Sequence, residues 1–325
     1  AFGSDEELSL RFRWVLWESW LADTVWSSPQ LLCNYLKVAC RSLRKHRVYS
    51  FVSILGLAIG LTSVLLVATY VDHEWRFEQV HEDHSRIVRL LRSSTTSAGE
   101  TTYHGGSTSG MAAPTLLAEV PDVERVVRIS LADHAVHQDG KKQIYRVALT
   151  DPEVLEVFTF PFLSGDPETA LLDPSGMLMT RRAATRLFGA SDPMGQTILL
   201  VDAATNKDRR YTVTGILGDI PATTHLQFEL LTAGRTSMFA EAWKQWRVRR
   251  GWLQTFALLR PNQTRTTIES KVHDVLEKRA PRDADTDLSF YLQPLTRIRL
   301  FSQTDYGFTS MRTDAGFESL RIGPL

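Results

Sequence analysis

The stretch VYSFVSILGLAIGLTSVLLVATYV, residues 48–71, carries no charge. At about 1.5 Å per residue a helix of that length extends about 36 Å, against a hydrocarbon core of about 30 Å, so it can cross a bilayer with some tilt. Its flanks differ in charge. Residues 31–47 include Lys37, Arg41, Arg44, Lys45 and Arg47 and no acid, whereas residues 72–86 hold five acids against Arg76 and Arg86. The positive-inside rule therefore predicts a cytoplasmic N-terminus with everything after Val71 outside, which in a bacterium is the periplasmic side of the inner membrane. A cleaved signal peptide fits less well, because it has a short basic region, an apolar region of about 7 to 15 residues and a small-residue cleavage site. Here a long polar leader comes first, and ATYVD offers no good cleavage pair.

Composition narrows the functional classes. The chain has 325 residues, with 37 basic against 37 acidic side chains, so no net field draws nucleic acid or an acidic partner. Beyond the apolar run about 250 residues remain, enough to bury a full core as one large domain or two subdomains. The two cysteines, Cys33 and Cys40, both precede the run. Their spacing puts them on one helical face, and packing suits them better than a metal site, which needs more ligands. The chain starts at Ala1 and stops at Leu325 without a second apolar span, so it reads as a fragment.

Five segments follow. Residues 1–30 hold Trp14, Trp17, Trp20 and Trp26 among charges and suit either a cytoplasmic leader at the membrane interface or a small cytosolic domain cut short. In residues 31–47, Leu32, Leu36, Ala39 and Leu43 form an apolar stripe, while Arg41, Arg44, Lys45 and Arg47 form a basic elbow; a basic amphipathic helix on the cytoplasmic leaflet is expected, with membrane lipid as its partner. Residues 48–71 are the span. In it Ser53, Gly56, Gly60 and Ser63 lie on one face, a small-residue stripe that lets another helix approach in lipid. Residues 72–306 are the extracytoplasmic domain, and 307–325 a tail.

The domain reads as α+β: one N-terminal transmembrane helix followed by a mixed α/β region, in two subdomains. Strands are expected at 87–92, 123–130, 143–149 and 177–179, with a Gly/Ser/Thr-rich loop at 93–110 and a short helix at 111–120. Thr180 is the expected N-cap of a helix over 181–188, with Gly189 as its stop. Strands 197–202 and 210–217 flank an Asn206-Lys207-Asp208 turn, a hairpin. A strand at 254–259, a helix at 264–279 and a strand at 288–293 make a βαβ-like unit.

Catalytic signatures are sparse. GASDPMGQT from Gly189 has five residues between its glycines and Gln196 where a phosphate-binding lysine should stand, so it is not a P-loop. The pairs His81/His84 and His134/His137 could each offer two imidazoles, but without a third ligand a solvated face is the simpler reading. No G-x-S-x-G, H-E-x-x-H or cysteine nucleophile follows the span. Neither a metal nor a cofactor is expected.

Four runs point to a family. NYLKVACRSLRKHRVYSFVSILGLAIGL, residues 34–61, resembles the opening of MacB/FtsX-type ABC transporter permeases: an amphipathic helix, a basic elbow and the first membrane helix. DPEVLEVFTFPFLSGDPETAL from Asp151, SGMLMTRRAATRLFGASDPMGQT from Ser175 and YTVTGILGDIPATTHLQFEL from Tyr211 look like that family's periplasmic core domain, in the same order. The resemblance implies a permease subunit, not an enzyme, whose ATP is bound by a separate ABC ATPase subunit. Its expected partners are that ATPase, other permease helices or a second permease copy, and a periplasmic adaptor with an outer-membrane duct. Its expected work is coupling ATPase closure to movement of the extracytoplasmic domain for export or efflux. The family residues carried over are structural: Gly165, Asp166, Pro167, Phe188, Gly189, Asp192, Pro193, Gly195, Gly215, Pro221, His225 and Phe228. The alternative is a membrane-anchored extracytoplasmic sensor or ligand-binding protein, which would need a cytoplasmic effector.

Overall fold

A computed structural model describes residues 29–99, 101–138, 141–201, 208–233, 244, 253–280 and 286–299. Most of the expected leader 1–30, Asn206 and Lys207 of the expected turn, and the tail lie outside these residues. The chain divides into two units, residues 1–71 and 72–325.

The first unit holds helix α1 (Pro29–Lys45) and most of α2 (Arg47–Trp75). Within α1, Tyr35, Leu36, Val38 and Leu43 are exposed, as are Cys33 and Cys40, which therefore pack against nothing described. Arg44 and Lys45 close α1 and Arg47 opens α2, so the basic elbow sits where one helix gives way to the next. α2 is long and apolar enough to cross a membrane, and none of its apolar window is buried within the protein. Three of its hydroxyls donate within the helix: Thr62 Oγ1 to Ala58 O at 2.7 Å, Ser63 Oγ to Ile59 O at 2.9 Å and Thr69 Oγ1 to Leu66 O at 2.9 Å. A bilayer core demands this, since it offers polar groups no water. The helix continues one turn past the apolar run, to Trp75.

The second unit is α+β. Its strands are β1 (Ile87–Thr96), β2 (Thr101–Gly105), β3 (Val123–Gln138), β4 (Lys141–Thr150), β5 (Phe162–Gly165), β6 (Gly176–Thr180), β7 (Thr197–Val201), β8 (Asp208–Leu217), β9 (Leu230–Ala233), β10 (Gln254–Leu259) and β11 (Thr286–Pro294). Between them lie α3 (Ala112–Glu119), α4 (Val154–Val157), α5 (Arg181–Phe188) and α6 (Arg265–Arg279).

Two structures share β3. On one side β11, β1, β10 and β3 form an antiparallel sheet. β10, α6 and β11 are the expected βαβ unit, with β1 inserted between its strands. On the other side the pairings β3–β4, β4–β9, β9–β6, β6–β8, β8–β7 and β7–β3 close on themselves, making a six-stranded barrel. β3 was expected to stop at residue 130, yet it runs on to Gln138 because its edge passes from β10 at residues 123–129 to β7 at 135–137. The expected loop at 93–110 is largely a hairpin, β1 with β2; its threonines are β-branched and suit a strand.

Three cores follow from strand alternation. Val88, Leu90 and Leu292 pack under α3 and α6 with Leu116, Ile268 and Val272. Val136, Tyr145, Met177, Met179, Ile198, Val213 and Leu230 fill the barrel, with Ala183 of α5. Between sheet and barrel lies a third, where Ile87, Val127 and Phe256 of the sheet meet Leu178, Leu217 and Leu231 on the barrel's outer wall.

Candidate functional site

The chain leaves α2 through hydrogen-bonded turns and reaches β1 at Ile87. Midway, Glu78 takes φ +65°, a left-handed conformation that costs a non-glycine residue about 1 kcal/mol. The side chain is fully buried. Glycine would relieve the backbone, so what the position needs is the carboxylate.

That carboxylate is held by the loop between β8 and β9. Its Oε1 accepts from His225 N–H and from His225 Nδ1–H, both at 2.6 Å, and its Oε2 accepts from Thr224 Oγ1 at 2.9 Å. Glu78 N–H donates to Thr223 O at 2.7 Å. His81, also buried, brings Nε2 to 3.6 Å from Oε2 and to 3.4 Å from Thr224 Oγ1. Its ring stands edge-on to Phe158, while the His225 ring lies beside Phe256. Burial pushes the Glu78 carboxyl up, but the His225 charge and the hydrogen bonds from His225 and His81 outweigh it and bring it down to about 2. The carboxylate therefore stays charged and saturated with donors, a holdfast and not a proton carrier. Arg89, fully buried on β1, bonds Gln293 Oε1 at 2.6 Å and also feels the Glu78 charge.

A second tie lies beside it. Arg299, just past β11, pairs with Glu74 at 2.6 Å and stacks over the Phe77 ring at 4.6 Å. The domain's two described ends thus touch.

The expected residues fall at three places. Pro221, His225 and Phe228 belong to the β8–β9 loop, which with Glu78 forms a clasp; Gln227 Nε2 ties back to Pro221 O at 2.7 Å and Phe228 joins the middle core. Gly165 and Gly215, from two separate motifs, are strand partners in the β5–β8 pair. A Cβ on Gly165, whose φ is +93°, would sit 2.6 Å from Thr214 O, and one on Gly215 would sit 2.7 Å from Leu178 Cδ2. Next to Gly165, Asp166 caps the turn that Pro167 begins, accepting from Glu168 N at 3.1 Å and Thr169 Oγ1 at 3.0 Å. Around α5, Phe188 packs on the barrel core and Gly189 is the stop, with φ +61°. Asp192 Oδ1 accepts from Met194 N at 3.0 Å, Pro193 O accepts from Gln196 N, and Gly195 N donates to Val213 O. Ser53, Gly56, Gly60 and Ser63 share the α2 surface, and among the described residues no atom outside the helix's own backbone lies within 4 Å of a Cβ built on either glycine.

The histidine pairs depart from the solvated reading. His81 is in the clasp, and His134, buried at 4% exposure, pairs across strands with the barrel-filling Tyr145. His137 sits three residues on along β3, on the opposite face, and approaches Asp208. Among the described residues no group of three or more His, Cys, Asp or Glu is arranged to hold a metal. Glu78 itself went unrecognised, because residues 72–86 read only as an acidic flank. The available signal was the polar TTH of residues 223–225, set beside the apolar Leu226 and Phe228 and in need of a buried partner.

A helix of membrane-crossing length leading into a sheet and barrel that share one strand defines a helix-tethered α+β domain. The family description "MacB-like periplasmic core domain" matches residues 50–275, and the chain belongs to that family, a component of transporter permeases. Among solved structures, a domain assigned to a permease protein of Porphyromonas gingivalis is 24% identical with a TM-score of 0.57, covering 66% of this chain and 91% of that one. The periplasmic region of MacB from Actinobacillus actinomycetemcomitans is 12% identical at TM-score 0.45, covering 66% and 91%. The extracellular domain of the noncanonic ABC-type transporter YknZ from Gram-positive bacteria is 10% identical at 0.46, covering 64% and 99%. No curated protein matches the chain.

Proposed function

We propose that the chain is the N-terminal part of an ABC transporter permease subunit in a bacterial inner membrane, with α1 on the cytoplasmic leaflet, α2 across the bilayer and the α+β domain in the periplasm. Its work is to carry the closure of a partner ATPase, which binds the ATP, to the periplasmic domain, driving export or efflux through a periplasmic adaptor and outer-membrane duct. The observation that carries this reading is α2 opening directly into a MacB-like domain whose described ends meet at Glu74, Phe77 and Arg299. Such a domain can be inserted between two membrane segments without spreading them. The basic elbow Arg41, Arg44, Lys45 and Arg47 is the anionic-lipid contact. The stripe Ser53, Gly56, Gly60 and Ser63 is the packing face for other permease helices or a second copy.

Orientation is tested with a membrane-impermeant thiol reagent on intact cells. Cysteine placed at exposed Leu163 is expected to react, while Cys33 and Cys40 react only after permeabilisation. The reverse pattern overturns the reading.

A further inference from the structure

We propose that Glu78 is the positioning residue through which displacement of the α2 end reaches the six-stranded barrel, with residues 218–229 as the transmitting arm. This rests on the permease reading above. The covalent route out of α2 leads into the sheet, because the chain after Glu78 enters β1, whose partners are β10, β11 and β2. Glu78 opens a second route. Three residues beyond the last residue of α2 and besides its contact with His81, it makes four hydrogen bonds, one donated by its backbone and three accepted by its carboxylate, all with Thr223, Thr224 and His225. Hydrogen bonds to a charged group are about twice as strong as neutral ones, and these are fully desolvated.

The arm that receives them is stiff and ends in the barrel. Gln227 Nε2 bonds Pro221 O at 2.7 Å and Thr224 O at 2.9 Å, folding the loop on itself. Its ends are barrel strands, β8 before and β9 after. At the β9 end Glu229 N donates to Arg146 O on β4 at 2.8 Å, and Glu229 Oε1 pairs with Arg186 of α5 at 2.8 Å. By contrast the tie toward the sheet, Glu74 with Arg299, is an ion pair whose arginine is 27% exposed; solvent weakens such pairs. A push or twist at Trp75 therefore enters the sheet along the turns of residues 76–86 and enters the barrel directly, through a buried, charge-assisted joint. The left-handed backbone at Glu78 places the stored strain at that joint.

The test uses the complete permease with its ATPase in lipid nanodiscs, Cys33 and Cys40 replaced by serine, and fluorophores on non-canonical residues at exposed Leu117 of α3 and Ile144 of β4. Energy transfer between them reads barrel against sheet on adding ATP and vanadate. Wild type is expected to shift, and E78Q to lose the shift while still hydrolysing ATP. In E78C/H225C, a short thiol cross-linker is expected to restore the shift, which the unlinked protein lacks; a role confined to stability would not need the link. An equal shift in E78Q and wild type, or an unlinked double mutant that moves like the linked one, overturns the proposal and leaves the permease reading standing. Should E78Q fail to fold, as judged by its melt, the linked and unlinked pair decides alone. Absence of any shift in wild type overturns the permease reading and this proposal with it.

Discussion

At Glu78 the opposition of two effects can be measured. The folded carboxyl titrates at about 2 against an ordinary 4.5, so its charge favours the fold fully above 4.5, and that contribution is lost as pH falls toward 2. By linkage it amounts to about 3 kcal/mol. The charged and titratable groups facing it are His225, His81 and Arg89. Urea denaturation of wild type and E78Q across pH 2 to 7 should therefore show a stability gap that is widest above pH 4.5 and narrows on acidification; a gap independent of pH in that window contradicts the account. The glycines make a second residue-scale contrast. Gly165 and Gly189 both have positive φ, but only at Gly165 would a Cβ strike backbone, 2.6 Å from Thr214 O. Gly189→Ala, at φ +61° and ψ −118°, should cost about 1 to 2 kcal/mol from backbone strain alone, and Gly165→Ala about 3 kcal/mol or more because strands must also part. Equal losses in denaturation midpoints would remove the close approach of β5 and β8 from the explanation.

Elements differed in how far local chemistry specifies them. α5 was read to the residue, since Thr180 Oγ1 accepts from Ala183 N at 3.2 Å and Gly189 ends the helix, both signals lying within ten residues. β3 was not, because its second half, LADHAVHQ, alternates outward Asp133 and His137 with inward His134 and Val136, and an inward histidine hides the pattern. The clasp was half legible: His225 was singled out, whereas Glu78, across 147 residues of sequence, was not. For α2 the period of the small residues is clear from the sequence alone. Gly60→Leu should weaken association of the permease in detergent, read as a shift to smaller species in light scattering, while leaving the melt of the α+β domain unchanged. Unchanged association would show that the stripe is not a packing face.

At the scale of the whole molecule, all three cores draw their residues from beyond the span, between Ile87 and Ile298. A chain beginning at Asp72 and ending at Leu325 should therefore fold without α1 and α2 and melt cooperatively. A fragment that stays expanded, without fixed aromatic signals in near-ultraviolet circular dichroism, would show that the span supports the core. Charge and apolar length along one continuous run are local quantities, and they were enough to predict a membrane helix with opposite flanks; strand, cap and turn signals, local as well, predict the mixed domain after it. The motifs carried family membership for the same reason, since each is a contiguous string. Barrel closure, the double duty of β3 and the Glu78 clasp are different in kind: each joins segments far apart in the chain. Whether a carboxylate is a solvated flank or a buried joint depends on what desolvates it, and that is settled only when the loop from β8 to β9 comes to lie over it.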